Sequence, residues 1–184
     1  MSDSNPLPYV VRPIRADEWP AVKELRLVAL QDPAAPVAFL ETYEKALTHP
    51  ESFWRERAAG AAEDTGGVRQ FVAEAADGSW VGSVTVLIEE AGTKDWAGFP
   101  VERDQGHLVG VFVRPEWRGG GVSRDLFAAA LQWAWGRGVE VVRLIVHERN
   151  PRAQAFYRKA GFVPSGKVVP LDEETELEFL LERG

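Results

Sequence analysis

Apolar residues recur along this chain with two alternating periods, one near 3.6 and one near 2, which predicts helices interleaved with strands. Tyr9-Val10-Val11-Arg12-Pro13-Ile14-Arg15 predicts a first strand, kept short by Pro13. Val22, Leu25, Val28, Ala29 and Leu30 then share one helix face, with Asp17 as the expected N-cap and Asp32-Pro33 to Pro36 as the break. Residues 37–61 predict two helical pieces split near Thr48-His49-Pro50, Pro50 taking the first position of the second. Gln70–Ala75 and Trp80–Ile88 predict strands joined across Asp77-Gly78, a short hairpin signal. Glu89–Gly106 is a polar, glycine-containing connection bearing Trp96 and Phe99, of a length that points to a functional loop. An apolar strand (His107–Val113), a helix (Arg124–Arg137, stopped by Gly136 and Gly138), a strand (Glu140–Val146) and a helix from Asn150-Pro151 to Gly161 follow. The last two strands, Phe162–Val169 and Glu176–Glu182, are expected to be joined by Pro170–Thr175. In the second, Leu177, Phe179 and Leu181 alternate with Glu176, Glu178 and Glu182, which predicts one buried face only. The order βαα-ββ-β-α-β-α-ββ predicts a mixed α/β sheet with helices packed on its faces.

Composition narrows the class. The chain has 184 residues, 45% of them hydrophobic, enough for one domain with a proper core. Residues 1–184 are therefore expected to form a single domain, with residues 1–8 as a frayed polar tail. No apolar run approaches 18 residues and no leader is visible, so a cytoplasmic protein with no membrane partner is expected. The absence of cysteine removes disulfide scaffolds, thiolate metal sites and cysteine nucleophiles together. The three histidines, His49, His107 and His147, are scattered, so no metal site is expected. A net charge of −7 argues against nucleic acid as a partner and leans toward cationic or neutral ones.

The informative segment runs from Val111 to Leu126, where an apolar strand enters a glycine-rich turn that opens a helix. Such a turn presents unshielded N–H groups at the positive end of a helix dipole, suited to a phosphate. Arg118 and Arg124 bracket it and can add charge-assisted contacts. The turn lacks the lysine and hydroxyl of a nucleotide P-loop, and Arg124 stands where a dinucleotide fingerprint needs its third glycine. A P-loop-like run, Gly161-Phe162-Val163-Pro164-Ser165-Gly166-Lys167-Val168, lacks the final hydroxyl and the strand–loop–helix context.

Val113-x-Pro115-x-x-Arg118-Gly119-Gly120-Gly121-Val122-Ser123 resembles motif A of the GNAT acetyltransferase superfamily, Arg/Gln-x-x-Gly-x-Gly/Ala. Arg118, Gly121 and Ser123 occupy its defining positions, serine standing where family members usually have glycine or alanine. Asn150-x-x-Ala153-x-x-Phe156-Tyr157-x-x-x-Gly161-Phe162 resembles the second half of the family pattern. Ile14-Arg15 with Asp17, and Leu25-Arg26-x-x-Ala29-Leu30, resemble its opening strand and first helix, so the likeness spans Val10 to Leu181.

The resemblance implies a mostly antiparallel twisted sheet, helices on both faces, and a central parallel strand pair that splays. It implies acetyl-CoA, or another acyl-CoA, as co-substrate. The pyrophosphate would lie on Gly119, Gly120, Gly121, Val122, Ser123 and Arg124, with Arg118 beside it. The pantetheine arm would pair with the backbone of Val111, Phe112 and Val113, between His107–Val113 and Glu140–Val146. Asn150 is first a helix cap, with a cofactor contact as a second role. Tyr157 would meet the leaving sulfur as acid. The implied reaction is direct transfer of the acetyl group to a primary amine of a small molecule or peptide, with no covalent enzyme intermediate. The same fold could instead hold acyl-CoA as a sensor without turnover, or serve as an interaction domain that binds nothing at its turn. Candidate bases are Glu148, His147, Glu41 and Tyr43, and Trp96 and Trp117 are the aromatics placed to meet an acceptor. A homodimer is an open option, and the identity of the amine is not readable.

Overall fold

The computed structural model describes residues 8–64 and 66–184. Most of the expected N-terminal tail lies outside the described residues. A seven-stranded sheet runs in the order β1-β2-β3-β4-β5-β7-β6. Its strands are β1 (Tyr9–Pro13), β2 (Val68–Ala75), β3 (Trp80–Glu89), β4 (Gln105–Val113), β5 (Val141–His147), β6 (Val163–Leu171) and β7 (Glu174–Glu182). All neighbours pair antiparallel except β4 and β5, whose parallel ladder covers only Gly106–Leu108 against Val142–Leu144. The expected mixed, mostly antiparallel sheet with one parallel pair is thus the observed one. No helix of the described residues is long and apolar enough to cross a membrane.

Alternation along the strands feeds two cores. Leu108, Val142, Leu144, Val146 and Phe179 face α5 (Val122–Gly136) and α6 (Pro151–Lys159). Val72 and Phe112 point to the opposite face, under α1 (Trp19–Leu30) and α4 (Glu51–Ala62). Trp54 of α4 is completely buried there, which explains one of the tryptophans as packing.

Several local expectations are corrected. Asp17 caps nothing: a 3-10 turn over Ala16–Glu18 precedes α1, and the Glu18 carboxylate accepts the Arg15 N–H at 2.7 Å. The 37–61 region holds α3 (Tyr43–Leu47) and α4, preceded by a short α2 (Ala35–Ala38), and Pro50 is the extended residue before α4. β6 and β7 run further toward each other than predicted and turn over Asp172-Glu173, both with positive φ. Glu176 and Glu178 are buried at 7% and 8% exposure, so β7 has two covered faces.

The Glu89–Gly106 connection is an ordered excursion at the β3–β4 end, and none of its residues lines the principal cavity. The Asp95 carboxylate accepts N–H bonds from Ala97 and Phe99 and binds Arg143 of β5 at 2.7 Å. Arg143 also meets Glu89 at 3.1 Å and Glu178 at 3.0 Å, and His107 meets Glu89 at 3.2 Å. The loop therefore covers a buried ionic cluster, and Trp96 is exposed and does not line the cavity.

Candidate active site

β4 carries one residue more than β3 opposite it, because Ser83 pairs with Phe112 while Thr85 pairs with Val109. Gly110, at φ +63°, takes up this bulge. Just there the β4–β5 ladder ends, and the strands part around a cavity of about 700 Å³. Val109, Gly110, Val111, Phe112 and Val113 line one wall, and Leu144, Ile145, Val146 and His147 line the other. An amide chain fits such a gap, since a strand edge without a neighbour offers backbone donors and acceptors.

One mouth of the cavity is the glycine turn. Gly121, with φ +89°, forms the N-cap of α5, a conformation only glycine adopts freely. No backbone N–H from Gly119 to Arg124 donates to an acceptor among the described residues, so these amides stand open at a fifteen-residue helix N-terminus. Gly119, Gly121, Val122, Ser123 and Arg124 line the cavity, whereas Gly120 faces solvent. Arg118 lines the cavity as well. Its Nε donates to the Val113 carbonyl at 3.0 Å and its Nη2 to Asp32 at 2.8 Å, so it braces the turn against α1's C-terminal loop. Burial pushes the Asp32 carboxyl up, yet the Ala34 amide and Arg118 outweigh it and leave its pKa low. Arg124 folds back over Gly121, and Arg152 and Lys159, which sequence reasoning missed, add positive charge to the same cavity. Trp117 also lines it.

Asn150 caps α6, accepting the Ala153 N–H at 3.2 Å, while its Nδ2 donates to the Val37 carbonyl at 3.4 Å. It thereby ties α2 across the end of β5. Two turns along α6, Tyr157 stacks on Phe127 at 5.9 Å with an interplanar angle of 12° and lines the cavity from the α5 face. Its hydroxyl makes no hydrogen bond among the described residues, and burial pushes its pKa up to about 12.

The opposite face of the sheet supplies a different chemistry. His147 and Glu176 are register partners on β5 and β7, and both line the cavity. His147 Nδ1 accepts the Arg149 N–H at 3.0 Å, which leaves Nε2 as the donor to Glu174 at 2.7 Å. Both ring nitrogens are occupied. The Glu176 carboxylate has no hydrogen-bond partner among the described residues. Burial raises its pKa, Glu174 adds to the rise, and His147 opposes it. Of the four base candidates only His147 reaches the cavity; Glu41 is held by Arg26 and His49 instead. Glu176 escaped notice because its alternation with Leu177 and Phe179 matches a solvated face. The signal was across the sheet, where Arg143 and His147 lie four residues apart on the matching face of β5.

The model of the acetyltransferase (GNAT) family matches residues 23–162. Aminoglycoside N(6')-acetyltransferase type 1 of Stenotrophomonas maltophilia is 33% identical over 99 residues, 54% of this chain and 62% of that protein. Mycothiol acetyltransferase of Saccharomonospora viridis is 38% identical over 92 residues, half of this chain and 29% of the relative. The chain thus spans under two thirds of the length of either curated relative. Among solved structures, the PaiA N-acetyltransferase from Thermoplasma acidophilum in complex with coenzyme A superposes with a TM-score of 0.63. That match has 18% identity and covers 92% of this chain and 97% of the other.

Proposed function

From the premise that the chain belongs to the GNAT acetyltransferase family, we propose that it transfers the acetyl group of acetyl-CoA directly to a primary amine of a small molecule or peptide. The observation that carries this is a cleft through the sheet with open amides at one mouth and an unpartnered buried carboxylate at the other. The pyrophosphate rests on the amides of Gly119–Arg124, with Arg124, Arg152 and Lys159 supplying charge. The pantetheine follows the β4 edge at Val111–Val113, and the Val111 N–H polarises the thioester carbonyl as the oxyanion develops.

The amine approaches from the α1 face. Glu176 takes its proton, and His147, held by Glu174 and the Arg149 amide, lies across from it on β5. A carboxylate with a raised pKa is a better base near neutrality than an ordinary one. Tyr157 meets the sulfur on the α5 face. Burial pushes the Tyr157 pKa up to about 12 and would likewise raise that of a thiolate in the same cleft, so Tyr157 gives either its proton or a hydrogen bond to the leaving sulfur. Residues 1–184 act as one domain in this scheme, in a cytoplasmic setting and without a metal.

The test is thiol release from acetyl-CoA across a panel of amines, paired with CoA titration calorimetry. Acceptor-dependent release supports the transferase. CoA binding with no release across the panel would replace it with the sensor of the same fold.

A further inference from the structure

A second, smaller cavity lies beneath α1 and α4, and Phe39, Gly110 and Phe112 line both it and the acyl-transfer cleft. Its floor is Gln70, Ser83 and Thr85 of β2 and β3, on the α1 face of the sheet. Gln70 and Ser83 are each only 7% exposed, and neither side chain meets a hydrogen-bond partner among the described residues. Such groups in a polar recess call for a ligand or water. Its wall carries Arg26 of α1 and Arg57 of α4. Arg26 is matched by Glu41 at 3.3 Å, and Glu41 also holds His49 at 2.7 Å. Arg57 forms no salt bridge among the described residues, so the recess keeps a surplus positive charge. Arg57 stands at the solvent-facing rim of the recess, close to both Arg26 and Glu41. The free space is about 30 Å³, room for about two water-sized atoms.

We propose that this recess binds the carboxylate of the acceptor, so that the acetylated amine belongs to an amino acid or a similar small aminocarboxylate. The inference rests on the transferase reading and names its substrate class. Two oxygens fit the space, a guanidinium matches them, and the side-chain hydroxyls and amide of the floor complete their hydrogen bonds. Gly110 separates the recess from the point where the thioester carbonyl would lie, so the carboxylate and the amine of one small molecule reach both. A polycationic acceptor would place positive charge against Arg57, which the recess disfavours.

The experiment compares each of a series of amino acids with its decarboxylated amine and its methyl ester by thiol release. The carboxylate members should show kcat/KM at least tenfold higher. Arg57→Ala should raise their KM by about ten- to hundredfold, the range of a charge-assisted hydrogen bond, and collapse the preference, with CoA Kd unchanged. Arg57→Lys should restore part of it. N-acetyl amino acids, as product mimics, should raise the Tm of wild type more than N-alkylacetamides do, and lose that advantage in Arg57→Ala. Equal use of amines and amino acids, or a preference that survives Arg57→Ala, overturns the proposal. If no acceptor releases thiol, the transferase reading fails, and the product-mimic arm still decides what the recess binds: no advantage of the carboxylate mimics there overturns it as well.

Discussion

Replacing Glu176 with glutamine keeps the shape of the side chain and removes its proton affinity. An alkylamine titrates near 10.4, taking lysine as its reference, so at pH 7.4 about one molecule in a thousand is already neutral. A base that lets the protonated population react is therefore worth up to about 10³-fold, inside the 10²–10⁴ range of general base catalysis. Glu176→Gln should lower kcat/KM at pH 7.4 by about 10²–10³-fold and retain CoA affinity. The deficit should shrink as pH rises toward 10 and the amine neutralises itself. The wild-type profile should show an acid limb with a midpoint above the ordinary carboxylate value, because burial raises that pKa, and the variant should lose this limb. Stability should move the other way. A carboxyl whose folded pKa is raised favours the native state when protonated, below its unfolded pKa, and loses that advantage as pH rises through the folded one. Glutamine avoids the loss, so the variant should melt higher than wild type at pH 7.4 and level with it near pH 4. A deficit under threefold at pH 7.4, or one that does not change with pH, refutes the assignment of Glu176 as base.

Tyr157→Phe should retain the fold and acetyl-CoA binding and lose roughly 10²-fold in kcat, the lower edge of the acid-catalysis range; a loss under about threefold at saturating substrates would leave Tyr157 as a packing residue. Gly121→Val forces a branched side chain into positive φ and toward Arg124, and should weaken CoA binding at least tenfold, about 1.4 kcal/mol, by calorimetry on folded variant. Arg143→Met strands Glu89, Asp95 and Glu178 in the interior and should cost about 3–5 kcal/mol of unfolding free energy, read from denaturant titration; a change under about 1 kcal/mol would mean the cluster is solvated. Trp96→Ala should leave both substrates' KM unchanged, since its loop does not reach the cavity.

Elements whose apolar positions repeat regularly were legible in the sequence, as the α5 stripe of Leu126, Ala130 and Ala134 and the Asn150 cap of α6 attest. Legibility failed where a residue's environment comes from a distant strand. Glu176 and Glu178 look solvated along β7 and are buried, and Glu178 meets Arg143 of β5, which also holds Asp95 from a loop some eighty residues earlier. Arg118 lines the cavity beside the glycine turn, and its partner Asp32 sits in another loop that the turn's own pattern does not announce. Local pattern reports which face an element buries; it is silent about which charges that face will meet.

The site itself follows from one interruption in an otherwise antiparallel sheet. Antiparallel neighbours can pair along their full length through tight turns, but β4 and β5 run parallel and require a crossover, which here is the glycine turn and α5. The bulge at Gly110 bends β4 where that pairing ends, so the gap between the strands opens through both faces of the sheet. A through-sheet gap places the open helix terminus and Tyr157 on one face and Glu176 with the basic recess on the other. Donor and acceptor can then approach from opposite sides without competing for space, which suits direct transfer with no enzyme-bound intermediate. It also separates the local potentials from the net charge of −7. The acidic balance of the whole chain favours cations, while the recess that would meet the acceptor carries Arg26 and Arg57 against one glutamate, and binding follows the recess.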